Sequence, residues 1–319
     1  MKKFDIILTL ILLALSLTSC SKEKNLLGNN INNSVLLNNA VCEDKNYIYV
    51  ADIENGIKKI DKKDNSVTIL RHKGGNLNLH NNYLYYQDIY EGNLCRVSTK
   101  ETDGDAELLL GYKDSYFMFD GVIYLVCIYN DIFCMDADGM NKKMDSSFDR
   151  NEKYFICGYD SKYIYIIRKY DYTSTVNKDG LSLTFEYFLS RKTRGGENFE
   201  NLFPVYSGLY DEVNKFLLIC NGYSYYAING KIVRNQLEVN APAEVLYEDE
   251  SAERFKLIAV LDEYIYFKDC INEDIIYKLT IDDKNVEVID LPHENIIFYV
   301  DDSKNRLNYI KDDVIYTLD

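Results

Sequence analysis

The 319-residue sequence has no tryptophan, three prolines and three histidines. The histidines, His72, His80 and His293, are far apart, and none has a partner at the spacing of a zinc site. There is also no Gly-x-Ser-x-Gly segment, the strand-to-helix turn that carries the nucleophile in α/β-hydrolases. Without tryptophan, a carbohydrate enzyme would have to stack sugars on some of the 29 tyrosines instead. We therefore predict no catalytic residue and no metal ligand, and these absences favour a binding or scaffold protein over an enzyme.

Positive charge is also scarce. The chain has 36 lysines and arginines against 51 acidic residues, which gives a formal net charge of −15. An acidic surface repels the phosphates of nucleic acids, and no basic stripe with interleaved aromatic residues is present. We therefore expect no nucleic-acid partner. The charge best suits a partner that is itself cationic.

The eight cysteines contain no Cys-x-x-Cys pair, which argues against a structural zinc site or a thioredoxin-type site. Among the seven cysteines after Cys20, the best candidates for a disulfide are Cys127 and Cys134, because they flank one predicted hairpin. Residues 136–139, Asp-Ala-Asp-Gly, partly resemble a calcium loop, but the glycine comes at the fourth position instead of the sixth. A turn between two strands is the better interpretation, while a calcium ion in a central channel stays open as a cofactor.

The N-terminus has the pattern of a secretory signal. Lys2 and Lys3 precede an apolar run from Ile6 to Leu17, which is too short to span a bilayer as a helix. The following Leu17-Thr18-Ser19-Cys20 resembles the lipobox of bacterial lipoproteins, and that resemblance implies lipidation of Cys20. We predict a signal peptide at 1–19, a lipidated cysteine with a tether at 20–34, and a folded domain at 35–319. The protein would then lie outside the cytoplasm in the cell envelope, with lipid on Cys20 as its membrane contact.

The stretch from Tyr47 to Leu70 is the unit that the rest of the chain repeats. It contains three short runs rich in β-branched and aromatic residues, 47–52, 57–60 and 67–70, separated by turn residues. Such runs predict short β-strands joined by turns.

Tyr-Ile-Tyr-like triplets recur through the chain at spacings of 36, 39, 41, 53, 48 and 42 residues. We take the middle residue of each triplet as the anchor of a predicted strand B: Ile48, Leu84, Ile123, Ile164, Leu217, Ile265 and Leu307. This period matches the ~40–50 residues of a four-stranded propeller blade.

These repeats predict an all-β fold, a β-propeller of four-stranded antiparallel blades. Seven anchors predict seven blades, with six or eight left open. The last repeat ends after its third strand, so a strand from Leu26 to Ser34 could complete it and close the ring.

Three repeats carry an aspartate four residues after the anchor, at Asp52, Asp88 and Asp269. These segments resemble the Tyr-Trp-Thr-Asp (YWTD) repeat of low-density lipoprotein receptor propellers, and the chain is similar to the related propeller domain of uncharacterised bacterial lipoproteins. The resemblance covers about residues 35–319 and implies a fold and a binding style. The receptor propellers have six blades, and four repeats here lack the aspartate.

Two repeats are longer than the others, and rigid scaffolds usually carry function on such insertions. The first predicted insertion, Lys169 to Leu183, contains Tyr170, Asp171 and Tyr172. The second, from Asn240 to Arg254, is an acidic loop between strand D of the fifth repeat and strand A of the sixth. The predicted binding rim consists of these aromatic and acidic residues: Tyr170, Asp171, Tyr172, Glu244, Glu248, Asp249 and Glu250.

The sequence therefore predicts a lipid-anchored propeller that binds a protein or an envelope polymer through one rim. The alternative is an envelope-glycan or lactone hydrolase or lyase, with its site in the central channel.

Overall fold

The computed structural model describes residues 40–318 except 53, 71, 102–103, 112–114, 127–130, 147–153, 161, 178–179, 195, 197, 209–216, 250–254, 271–274, 292–295 and 302–303. In this part of the chain every regular element is a β-strand, which confirms the all-β prediction. No helix there is long and apolar enough to cross a membrane.

The strands form seven antiparallel sheets in which consecutive strands are neighbours. Blades 1 to 3 contain β1 (Val41–Glu43), β2 (Tyr47–Val50), β3 (Lys58–Asp61), β4 (Val67–Ile69); β5 (Gly74–His80), β6 (Tyr83–Asp88), β7 (Leu94–Ser98), β8 (Glu107–Leu110); β9 (Ser115–Phe119), β10 (Val122–Val126), β11 (Ile132–Asp136) and β12 (Lys143–Ser146). Blades 4 and 5 contain β13 (Tyr154–Tyr159), β14 (Tyr163–Asn177), β15 (Gly180–Thr193), β16 (Phe199–Gly208); β17 (Leu217–Cys220), β18 (Tyr223–Ile228), β19 (Lys231–Gln236) and β20 (Glu244–Glu248). Blades 6 and 7 contain β21 (Phe255–Val260), β22 (Tyr264–Asp269), β23 (Ile275–Thr280), β24 (Val286–Asp290); β25 (Ile297–Asp301), β26 (Arg306–Lys311) and β27 (Val314–Thr317).

Seven buried apolar clusters hold the ring together, and each lies between two neighbouring blades. The last one joins blade 7 to blade 1, where Tyr299 and Ile310 pack with Val41 and Ile48. The Lys58 ammonium of blade 1 also lies 2.6 Å from the Asp313 carboxylate of blade 7. The chain therefore closes on itself as a seven-bladed β-propeller, which confirms the predicted architecture and blade number.

The repeated triplet explains why each blade needs two neighbours. The middle residue of the triplet, such as Ile48 or Leu84, packs against the preceding blade. The tyrosine after it, such as Tyr49 or Tyr85, packs against the following blade. Because side chains alternate between the two faces of a strand, one strand supplies apolar surface to two interfaces.

One predicted anchor was wrong. Leu217 lies in β17, the first strand of blade 5, and the true triplet is Tyr223-Ser224-Tyr225 in β18. Its middle residue is a serine, which breaks the apolar pattern by which the other triplets are recognised. The Asn229-Gly230 turn therefore joins strands B and C of this blade.

Two of the three aspartates of the YWTD-like pattern, Asp52 and Asp88, stabilise turns. The Asp52 carboxylate accepts hydrogen bonds from the backbone N–H groups of Glu54 and Asn55, at 3.0 and 2.9 Å. Asp88 does the same for the backbone N–H groups of Tyr90 and Glu91. The pattern thus has a local structural cause, the capping of the turn between strands B and C.

Two predictions fall on residues outside the described ranges. Blade 7 shows three strands, and the segment Leu26 to Ser34 predicted to complete it lies outside those ranges, as does Cys20. Cys134 is a buried free thiol, and its predicted partner Cys127 also falls outside them.

Candidate functional site

The feature that distinguishes blade 4 is a β-hairpin much longer than any other in the described ring. Its strands β14 and β15 have 15 and 14 residues, whereas the corresponding strands of blade 6 have six each. They pair from Tyr163 opposite Thr193 to Asn177 opposite Gly180. At about 3.3 Å per residue, the part after Lys169 extends the hairpin by roughly 26 Å.

The predicted insertion of Lys169 to Leu183 is therefore a continuation of two strands and not an irregular loop. Tyr170 lies at a β-bulge, Asp171 is opposite Glu186, and Tyr172 is opposite Phe185. Alternating threonine, tyrosine and valine residues favour strands, which accounts for the hairpin.

The hairpin leaves the body of the blade as a two-stranded ribbon. The pairing of β14 with β13 ends at Arg168, and the pairing of β15 with β16 ends at Phe185. In the described part of the chain, no strand pairs with the outer edge of β14 beyond Arg168. Such an edge offers backbone N–H and C=O groups to a partner that adds a strand.

The predicted acidic loop was wrong in its placement. Glu244 and Glu248 are the first and last residues of β20, the outer strand of blade 5. Strand order places Glu248 and Asp249 on the side of the ring where the blade-4 hairpin emerges, and Glu244 on the opposite side. Glu250 lies outside the described ranges, so the structure brings together only part of the predicted rim.

Both glutamates of β20 are already engaged with cations of the same protein. Glu244 lies 2.7 Å from Arg234 and 3.1 Å from Lys284, and Glu248 lies 2.6 Å from Lys231. The hydrogen bond from Arg234 keeps the pKa of Glu244 below its ordinary value. Since these carboxylates are neutralised locally, they offer less to a cationic partner than the sequence suggests.

The Arg234–Glu244 pair belongs to a repeated device that the sequence analysis missed, here called the blade clasp. A strand-C cation stacks on the first tyrosine of the triplet, as with Arg96 over Tyr83 at 4.7 Å. Arg96 is also 2.8 Å from Glu107 of strand D and donates to the Ala137 carbonyl of the next blade at 3.0 Å. The clasp thus joins three strands of one blade to its neighbour.

Other blades repeat the clasp in whole or in part. In blade 4, Arg191 stacks on Tyr163, pairs with Glu200 and donates to the Leu237 carbonyl of blade 5. In blade 1, Lys59 lies over Tyr47 and donates to the Thr99 carbonyl of blade 2. In the sequence, the cation follows the first tyrosine of the triplet by 11 to 14 residues in blades 1, 2, 5 and 6 but by 28 in blade 4, so no fixed spacing marks it.

The junction of blades 3 and 4 departs from this scheme. Cys134 takes the place of the strand-C cation, and two cations of blade 4 reach back instead. Lys192 is 1% exposed and lies 2.8 Å from the Asp145 carboxylate, itself 5% exposed. Arg194 lies over the Phe119 ring at 4.4 Å and 3.6 Å from Asp120. The blade that carries the hairpin is therefore tied to its neighbour by a buried ion pair.

No group of three or more histidine, cysteine, aspartate or glutamate side chains in the described ranges could hold a metal ion. Residues 136–139 form the predicted turn, closed by a hydrogen bond from the Gly139 N–H to the Asp136 carbonyl. His72 contacts the Gly104 carbonyl and His80 contacts Asn81, while His293 lies outside those ranges.

Comparisons with known proteins add support for the fold. No protein family matches the chain, and neither does any curated protein sequence. The computationally designed Ika8 protein is similar over 88% of this chain and 96% of its own, at 11% identity and a TM-score of 0.57. YCF48 from Cyanidioschyzon merolae is similar over 86% of this chain and 89% of its own, at 10% identity and a TM-score of 0.55.

Two further structures also match the chain. An oligogalacturonate lyase in complex with manganese matches over 74% of this chain and 73% of its own, at 10% identity and a TM-score of 0.50. A chain of a nidogen/laminin complex matches over 82% of this chain and 95% of its own at 11% identity, but its TM-score of 0.44 is too low to support the YWTD resemblance. At these identities a likeness shows the fold alone, and what the comparisons identify is a β-propeller.

Proposed function

We propose that the protein is a lipid-anchored, extracytoplasmic binding module whose contact element is the blade-4 hairpin. The observation that carries the proposal is the ribbon beyond Arg168 and Phe185, which extends past the sheet that supports it. A rigid ribbon on a closed ring suits the presentation of an interaction surface.

The partner would be a protein or an envelope polymer. An extended polypeptide could add to the open edge of β14 through backbone hydrogen bonds, with Tyr170, Asp171 and Tyr172 as neighbouring residues. The net charge of −15 would favour a basic partner through long-range attraction. Of the predicted rim acids, Asp249 lies on the same side of the ring as the hairpin, whereas the charge of Glu248 is balanced by Lys231.

Anchoring rests on the sequence around Cys20. The apolar run and the residues before the cysteine match a lipoprotein signal, and lipid on Cys20 would hold the ring close to a membrane. Replacing Cys20 with serine should move the protein from the membrane fraction to the soluble fraction. A Cys20→Ser variant that still sediments with membranes would refute this part of the proposal.

The hairpin assignment can be tested by trimming the ribbon. Replacing residues 170–186 with Asn-Gly keeps the pairing of β14 with β15 up to Lys169 opposite Tyr187 and removes the ribbon together with Tyr170, Asp171 and Tyr172. The melting temperature should change little, and partners captured from envelope extract by the parent chain should be lost. As a control, the same capture is repeated with Glu107→Gln, which alters the outer strand of blade 2. Capture that is equal for the parent, the trimmed chain and the control would show that the hairpin is not the contact element.

A further inference from the structure

The pairing register of the blade-4 ribbon sorts its residues onto two unlike faces. Residues directly opposite each other in an antiparallel pair share a face, and successive pairs alternate between the two faces. The pairing is unbroken from Asp171 opposite Glu186 to Val176 opposite Leu181. One face therefore holds five apolar or aromatic residues and one serine: Tyr172, Phe185, Ser174, Leu183, Val176 and Leu181. The other face holds six polar residues: Asp171, Glu186, Thr173, Thr184, Thr175 and Ser182.

The apolar face continues a surface that is buried in the body of the blade. The bulge at Tyr170 adds a residue to β14 but none to β15, so alternate residues from Leu181 to Leu189 share one face of β15. Two of these residues, Tyr187 and Leu189, belong to the apolar cluster between blades 4 and 5. Because β18, the corresponding strand of blade 5, ends at Ile228 after six residues, the ribbon carries this face past the strands of the neighbouring blade.

The open edge of the ribbon lacks the features that usually keep a strand from pairing. Edge strands of soluble proteins are commonly protected by lysine, proline or a bulge. In β14, Lys169, the bulge at Tyr170 and the charge of Asp171 all lie at the base of the ribbon. The next six residues, 172–177, contain neither a charged residue nor proline. The edge beyond Asp171 is therefore suited to accept a further strand.

Charge and area indicate what kind of strand fits there. The polar face begins with Asp171 opposite Glu186, and like charges directly opposite each other are unfavourable. A two-stranded face about 10 Å wide and roughly 26 Å long has an area of about 250 Å², whereas a stable dimer needs about 800 Å² from each partner. Two copies of this chain would also bring together two net charges of −15. These observations favour a separate basic segment over a second copy.

We infer that the partner of the ribbon is an extended basic polypeptide segment whose alternate residues are apolar, and that it adds to β14 as a third strand. Its apolar residues extend the face of Tyr172 and Val176. Its intervening residues extend the face of Asp171, where a lysine or arginine is opposite the acid. Backbone hydrogen bonds supply affinity, and the alternation supplies selectivity. This inference rests on the proposed function, because it names the partner of the same hairpin.

Synthetic peptides test the selectivity. The full-length Cys20→Ser chain is titrated with a fluorescent peptide of about nine residues that has valine at every second position and lysine or threonine between. A second peptide has the same composition in an order without alternation, and a third has glutamate in place of lysine. By fluorescence anisotropy, the alternating lysine peptide should bind at least about tenfold more tightly than either of the others. Equal binding by the first two peptides, or binding by none, would overturn the inference.

Two neighbouring substitutions test which face is used. Leu183→Asp places a charge on the apolar face and should weaken binding of the alternating lysine peptide by about tenfold or more. Ser182→Asp, the same change one residue away on the polar face, should leave binding unchanged or tighten it. Neither should alter the melting temperature, because the ribbon lies outside the body of the blade. Equal losses of binding in both variants would overturn the inference. So would a lower melting temperature for Leu183→Asp alone, since the chain itself would then cover this face.

The same variant separates other occupants. A dimer in sedimentation that Leu183→Asp dissociates would assign the apolar face to a second copy. Binding of the Cys20→Ser chain to phosphatidylcholine vesicles that Leu183→Asp abolishes would assign it to a lipid surface, and either result overturns the inference. If trimming the ribbon abolishes partner capture but the peptides bind alike, the proposed function holds and only this inference fails. If the trimmed chain captures the same partners as the parent chain, the proposed function itself fails.

Discussion

At the residue scale, the buried polar groups show where individual side chains depart from the repeat. Ser224 is fully buried at a position where six blades have isoleucine or leucine, and its hydroxyl has no hydrogen-bond partner among the residues that the structure describes. Ser190 is equally buried, but its hydroxyl donates to Asn201 at 2.7 Å. The two serines offer a matched comparison of an unsatisfied and a satisfied hydroxyl.

We expect Ser224→Ala to stabilise the protein by about 1 kcal/mol, because it removes a buried hydroxyl without breaking a bond. Ser190→Ala should destabilise by about the same amount, because it leaves the Asn201 amide oxygen without its donor. Urea unfolding of both variants measures the two effects. Destabilisation of equal size in both would show that Ser224 has a partner.

The buried Lys192–Asp145 pair gives a second prediction at this scale. Lys192→Met alone should destabilise by about 3–5 kcal/mol, because it leaves the Asp145 carboxylate buried without its main counter-charge. The double variant Lys192→Met with Asp145→Leu should recover most of this loss, since the corresponding residue of the outer strand is leucine in blades 1, 2, 4 and 5. The denaturant midpoints of unfolding of the parent chain and of the single and double variants measure these differences in stability. A double variant less stable than the single one would contradict the expectation.

At the scale of elements, the blade clasp links a strand-C cation, a strand-B tyrosine and a strand-D acid. The ion pair of the clasp contributes to the stability of the folded protein, and the direction of its pH dependence follows from the pKa of the acid. The pKa of Glu244 is lowered in the folded protein by the hydrogen bond from Arg234, relative to its ordinary value of 4.5. A depressed carboxyl pKa adds stability above the unfolded pKa, and this is lost as the pH falls through the lower, folded pKa.

We therefore expect the stability difference between the parent chain and Glu244→Gln to be constant near neutral pH and to shrink below about pH 4.5. The effect is small, since the Glu244 side chain is 43% exposed and screened by solvent. Thermal melts of both proteins from pH 3 to 7 measure it. A difference that grows as the pH falls would mean that the pair does not form.

At the scale of the whole molecule, the ring differs from an open stack of repeats. Each blade buries both of its faces against neighbours, and blade 7 covers surfaces of both blade 6 and blade 1. In an open solenoid, removal of a terminal repeat removes one interface and leaves the rest. In a closed ring the same deletion exposes two apolar faces.

We expect a chain that ends at Asp290, without blade 7, to lose its cooperative melt and to bind a hydrophobic dye. The physical reason is exposure of residues such as Ile48 and Ile276 that blade 7 covers. Near-UV circular dichroism and dye fluorescence measure the outcome. A sharp melt and native-like spectrum for the shortened chain would argue that the blades fold independently.

Much of the fold could be predicted from the sequence because its cause is local. Alternating tyrosine and isoleucine set the strands, and turn residues such as those at 61–65 set the breaks between them. The anchor of the fifth blade was misplaced because Ser224 is polar at a position where the other triplets have an apolar residue. The candidate site was predicted less well, since Tyr170 and Tyr172 were found in the extended segment but Glu244 lies on the other side of the ring.

By itself the sequence determined the strand pattern and the number of blades, since period-two alternation and turn chemistry act over a few residues. The tertiary structure alone decided how these blades meet. It showed that strand-D acids such as Glu244 are neutralised across strands, that Lys192 is buried against Asp145, and that the 169–183 segment is a ribbon. These facts depend on how strands pair and how neighbouring blades pack, and Lys192 and Asp145, which are 47 residues apart in the chain, meet only where blades 3 and 4 touch.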